Sequence, residues 1–173
     1  MANKELAAKV LILNKDQIAQ KINRIAYQIL EDNLDEKEVV IAGMGERGFI
    51  LAKRIEFVLS KIASFSIQSV QLNVETKKNS VQVNLNAEGE KFKNSIIILV
   101  DDVLNSGRTL AYGFSAFLNE PHKKIRTVVL VDRSHKVFPI ATDFVGLNLA
   151  TVLKEHVEVV LDIEGEDDGV YLS

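Results

Sequence analysis

Asp101 and Asp102 stand side by side at the end of a strongly apolar run, Ile96-Ile-Ile-Leu-Val100, and Asn105-Ser-Gly-Arg-Thr109 follows three positions later. A buried strand that ends in two carboxylates and then a small, polar turn into a helix suits a specific chemistry. Free N–H groups at a helix start, with the helix dipole, favour a phosphate. Ser106 and Thr109 add hydroxyl donors, and Gly107 lets the backbone approach closely. The two acids repel a phosphate and suit hydroxyls or a hydrated magnesium ion. A ligand with a phosphate at one end and a vicinal diol beside it meets both halves.

Gly43-Met-Gly-Glu-Arg-Gly48 also follows an apolar run and opens a helical pattern. It matches the spacing of a dinucleotide-binding turn, which needs an acid about twenty residues on. Residues 60–71 contain no acid, and Glu75 comes late. A nucleotide-binding oxidoreductase is therefore disfavoured, and it would leave Asp101-Asp102 unexplained.

The elements that must position these residues are read from periodicity. Ile18, Ile22, Ile25, Ala26, Ile29 and Leu30 predict a first helix over about 15–33, with Asn14 as its cap and Gln17 three residues on. A short buried strand is expected at 39–42 and a second helix at about 49–61. Residues 66–85 alternate in places and read as strand or hairpin, with polar turns at 76–80 and 86–90. The central strand 96–100, a helix at 109–118 and strands at 125–131, 144–149 and 157–161 follow, with an edge strand at 169–173. This order gives an α/β fold with a mainly parallel central sheet flanked by helices. A chain of 173 residues with 47% hydrophobic content is read as one domain, 1–173.

Composition narrows the field. There are no cysteines, so disulfides and thiolate chemistry are excluded. His122, His135 and His156 lack metal-ligand spacing. The net charge of −3 gives no support for tight nucleic-acid binding. The N-terminal apolar run is broken by Glu5 and Lys9, so no signal peptide or membrane span is expected, and a cytoplasmic location is.

The segment from Ile97 to Thr109 resembles the signature of type I phosphoribosyltransferases, which bind 5-phosphoribosyl 1-pyrophosphate (PRPP). The likeness extends over most of the chain. Val131-Asp-Arg-Ser-His-Lys-Val-Phe-Pro-Ile140 with Asp143-Phe-Val-Gly146 is similar to the bifunctional pyrimidine-operon attenuator and uracil phosphoribosyltransferase family. The resemblance implies the type I fold with a small hood, residues 66–92 and 132–150 supplying flexible loop and hood. It implies that Asn105, Ser106, Gly107, Arg108 and Thr109 hold the 5′-phosphate. Asp101 and Asp102 hold the ribose diol and, indirectly, the magnesium of Mg-PRPP. Gly45, Glu46, Arg47 and Gly48 form the pyrophosphate site, which makes Asp101, Asp102 and Arg47 the catalytic set. Arg133, Lys136 and Val145 are the base-contact candidates. Purine enzymes of the family usually carry aspartate where this chain has Asn105, and an amide cannot act as that base. A pyrimidine such as uracil is the expected acceptor.

The chain departs from the family at two places. A Tyr-Arg pair at the start of the hood loop is replaced by Gln71-Leu-Asn-Val-Glu-Thr-Lys-Lys78, where Lys77 or Lys78 are candidates to close over pyrophosphate. RNA-binding members carry a basic first helix. Here Lys21 and Arg24 sit among Ala19, Gln20, Tyr27 and Asp32, and Leu147 stands where a basic residue is usual. The transferase reading thus ranks above the alternative, a PRPP- or nucleotide-sensing regulator that binds pyrimidine-operon RNA. The resemblance also implies a homodimer or higher homo-oligomer.

Overall fold

A computed structural model describes residues 9–77, 80–85, 92–133, 135–152 and 155–173. The chain order is β1 (Val10–Asn14), α1 (Lys15–Asp32), β2 (Glu38–Met44), α2 (Gly45–Ile62), β3 (Ser66–Lys77), β4 (Ser80–Leu85), β5 (Ile96–Leu104), α3 (Arg108–Ser115), β6 (Lys124–Asp132), β7 (Phe144–Asn148), β8 (Val157–Val160) and β9 (Gly169–Leu172).

The main sheet has the order β4-β3-β2-β5-β6-β7. Its pairings are parallel except β3 with β4. Alternate residues of the central strands enter two separate cores. Val39 and Ile41 of β2 and Ile96, Ile98 and Val100 of β5 join Ile18, Ile25 and Ile29 of α1 and Leu51 and Ile55 of α2. Val40 and Ala42, with Ile97 and Leu99, join Leu110 of α3, Phe117 and Leu72 on the other face. Both faces are covered, which is why β2 and β5 read as unbroken apolar runs. Helix α1 starts at the expected cap: Asn14 Oδ1 accepts from the Gln17 N–H, and Gln17 Oε1 accepts from the Asn14 N–H, both at 2.9 Å.

Several expectations need correction. Strand β1 lies in a segment the sequence left without an element. It pairs with β9, which also pairs with β8, so the C-terminal strand is the middle of a second, antiparallel sheet and not an edge. That small sheet is built from the chain ends. Residues 66–77 and 80–85 do extend the main sheet as the expected hairpin, in register from Leu72↔Leu85 to Lys77↔Ser80. The alternation there favours pairing because one face packs Val74 and Val83 on the core. Lys78, the 86–90 turn and Ser134 lie outside the described residues.

Candidate functional site

Strand β2 is followed by α2 and then β3 on one side. Strand β5 is followed by α3 and then β6 on the other. The chain therefore turns in opposite directions after two adjacent parallel strands, and their carboxyl ends open a crevice at the switch point. Both motifs meet there.

On the β5 side, the strand runs to Leu104, so Asp101 and Asp102 belong to the strand end and not to the loop. Asp101 is buried, and its Oδ1 accepts the Asp102 backbone N–H at 3.0 Å. Burial, and then the neighbouring Asp102 charge, push the Asp101 carboxyl well above the ordinary aspartate range. Asp102 is half-buried and reaches the crevice, where its Oδ2 lies 3.9 Å from Arg47 Nη1.

On the β2 side, Gly45 to Gly48 form the first turn of α2, where a loop had been expected before residue 49. Gly48 is what allows this. A Cβ there would stand 2.6 Å from the Val100 carbonyl oxygen, so only glycine lets α2 seat against β5. Glu46 and Arg47 are exposed on this turn.

Helix α3 begins at Arg108, with Gly107 at φ 80° in the left-handed region as its cap. Ser106 Oγ accepts the Arg108 N–H at 3.3 Å. Its carbonyl accepts from the N–H groups of Val137 and Phe138, each at 2.9 Å. These bonds pin the loop to the segment after β6. A small cavity of about 50 Å³ is lined by Asp101 and residues 103–110.

The helix starts differ in a telling way. Helix α1 has a full capping box, whereas α2 and α3 have no side-chain cap bond. The first N–H groups of a helix have no partner within it. The two helices that open on the crevice lack such a box: α2 has no side-chain cap, and on α3 the Ser106 hydroxyl takes only the Arg108 N–H. A larger cavity, about 580 Å³, lies between α1 and α2 against Ile22, Ile50, Phe57 and Val58. It contains neither the acid pair nor the start of α3.

The base-contact candidates are placed less directly. Arg133 is buried, and its guanidinium donates to Asn105 Oδ1 at 2.8 Å and to Thr151 Oγ1 at 3.0 Å. Lys136 Nζ lies 3.2 Å from Asp132 Oδ2. The Val145 and Gly146 carbonyls on the β7 strand accept from Arg24 Nη2 of α1, at 2.7 Å each. Thr109 and Arg108 are exposed at the start of α3, and Lys77 ends β3 in the hairpin. The dinucleotide reading fails on register. Met44 pairs with Leu72, so a buried leucine stands where that site needs its acid.

Residues 11–164 match the phosphoribosyl transferase domain family. The chain belongs to the phosphoribosyltransferase family. It is 32% identical to "Bifunctional protein PyrR" of Macrococcus caseolyticus, over 95% of this chain and 99% of that protein. It is 35% identical to the protein of the same name from Pediococcus pentosaceus, over 88% and 93%. Among solved structures, a hypoxanthine phosphoribosyltransferase from Trypanosoma cruzi complexed with the product IMP superposes with TM-score 0.76 at 18% identity, covering 98% of this chain and 92% of that one. A hypoxanthine-guanine phosphoribosyltransferase from Bacillus anthracis gives TM-score 0.71 at 18% identity, covering 84% and 86%. At that identity the structures establish the type I phosphoribosyltransferase fold alone. The sequence relatives make this chain a PyrR-like member.

Proposed function

We propose that this phosphoribosyltransferase moves the 5-phosphoribosyl group of PRPP to a pyrimidine base, uracil foremost, and releases pyrophosphate. The observation that carries the reading is the pair of uncapped helix starts, α2 and α3, on either side of one acid pair. PRPP needs two anion sites with a diol between them, and this crevice offers that sequence of groups.

In this reading the amides of residues 106–109, with the Ser106 and Thr109 hydroxyls, hold the 5′-phosphate. Asp101 and Asp102 accept from the ribose hydroxyls. The amides of residues 45–48 and the Arg47 guanidinium hold the pyrophosphate. As the C1′–O bond breaks, negative charge gathers on the leaving group, and Arg47 neutralises it in place. The base nitrogen attacks C1′ as the sugar becomes oxocarbenium-like. The chain's contribution is positioning and charge stabilisation.

Among the described residues, no group of three or more His, Cys, Asp or Glu is arranged to hold a metal by itself. Two carboxylates fit a hydrated magnesium ion that arrives with the diphosphate and takes its other oxygens from ligand and water. Bound there, it would supply further neutralisation of the pyrophosphate.

Asn105 favours a pyrimidine, because its amide cannot take a proton from a purine. Arg24, one of the two basic residues of α1 named above, is engaged on β7 carbonyls and gives the regulator reading no free cation. The test is calorimetric titration of Mg-PRPP into wild type and Asp102→Asn. Saturable wild-type binding that weakens at least ~10-fold in the variant supports the diol assignment. Equal affinities would remove it.

A further inference from the structure

Arg133 follows directly on β6, and its backbone N–H donates to the Leu104 carbonyl at 3.1 Å. The residue is 8% exposed, and its side chain reaches back under the loop that follows β5. Four of the five guanidinium donors are accounted for: Nε to Thr151 Oγ1, Nη1 to Asn105 Oδ1, and Nη2 to the carbonyls of Val152 and Glu155. A side chain so occupied has little left for a ligand. Its effect on the site is exerted through Asn105.

That effect has a defined sign. A guanidinium only donates, so the Asn105 atom that meets it must be the carbonyl oxygen. The amide nitrogen, a donor, then has no protein partner among the described residues, on a residue that lines the small cavity. An aspartate at this position would offer an acceptor to the ligand. Asn105, held by Arg133, offers the reverse.

We propose that Arg133 is a positioning residue that fixes Asn105 as a hydrogen-bond donor, and that this donor selects bases with a carbonyl oxygen beside the reacting nitrogen. The proposal rests on the transfer reading, in which Asn105 lies next to the incoming base. A pyrimidine that reacts at a ring nitrogen flanked by a carbonyl presents an acceptor to the amide. A purine that reacts at one imidazole nitrogen while carrying its proton on the other presents an N–H, so two donors would face each other. Sites built around a hydrogen bond reject partners that leave it unmade more strongly than apolar pockets reject a misfit.

The experiment measures kcat/KM for uracil and hypoxanthine at saturating Mg-PRPP in wild type, Asn105→Asp, Asn105→Ala, Arg133→Met, Arg133→Lys and the Asn105→Ala/Arg133→Met pair. Asn105→Asp should lower the uracil-to-hypoxanthine ratio at least ~10-fold. Arg133→Met should lower the same ratio while KM for PRPP stays within about twofold, and Arg133→Lys, which keeps one donor, should recover part of it. Once Asn105 is alanine, Arg133→Met should change the ratio no further. A ratio that moves less than about twofold in Asn105→Asp overturns the proposal, as does an Arg133 effect that persists without Asn105. If Arg133→Met does not fold, Asn105→Asp and Arg133→Lys decide. Wild-type turnover with an unmoved ratio removes this inference and leaves the transfer reading intact. No wild-type turnover with any base removes both.

Discussion

Arg47 Nη1 and Asp102 Oδ2 face each other at 3.9 Å across the switch-point crevice, one from the first turn of α2 and the other from the end of β5. The pair is too open to matter for stability. The Arg47 side chain is 54% exposed, and such ion pairs contribute about 0–1 kcal/mol. Because the contact is weak and faces the crevice, an entering ligand can replace it at little cost. Arg47→Ala should therefore lower kcat/KM for PRPP by roughly 10²-fold with little loss of thermal stability. Arg47→Lys should fall between, because it keeps the charge and loses the two-pronged contact. Steady-state kinetics beside a melting curve separates the two effects; a large drop in Tm would make Arg47 a structural residue.

Asp101 gives a prediction of opposite sign for stability. Its carboxyl is raised by burial and by Asp102, so the folded chain holds a proton that the unfolded chain has released. Stability then falls as pH rises from about 3.8, the unfolded value, through the raised folded value. Asp101→Asn removes that penalty and keeps an oxygen to accept the Asp102 N–H. The variant should melt higher than wild type at pH 7, with the gap closing toward pH 4, while its PRPP turnover falls. Thermal denaturation across that range checks it, and a variant less stable at pH 7 would contradict it.

Gly48 ties the first turn of α2 to the fold. A methyl group at this position meets the backbone carbonyl of Val100, which has no flexible end to move aside. Gly48→Ala should push α2 away from β5, cost about 1–3 kcal/mol and weaken PRPP binding together with stability. Chemical denaturation and a PRPP titration on the same preparation should shift together. Weakened binding at unchanged stability would mean the glycine serves the ligand alone.

Much of this was legible in the sequence, for physical reasons that differ by segment. The run Ile96 to Val100 announced a strand covered on both faces, and the Asn14–Gln17 box announced the start of α1, because both signals are local. Strand β1 was not legible. Only Leu13 of its five residues is buried, and its partner β9 lies at the far end of the chain. The α2 boundary was misplaced because glycines suggest a loop, whereas Gly48 is there to bring a helix close to a strand. The Arg133–Asn105 bond gave no sequence signal at all. It joins residues 28 apart through two strand ends, a separation no local pattern reports.

Phosphoribosyl transfer at the crevice between β2 and β5 is the central expectation. The most direct measurement is pyrophosphate release from Mg-PRPP with uracil, orotate, hypoxanthine, guanine, adenine and xanthine, each with chromatographic assay of the nucleotide formed. Equal amounts of pyrophosphate and nucleotide are expected, with uracil the preferred acceptor and with loss of both products in Asp102→Asn. A flat result across all six bases would contradict the account.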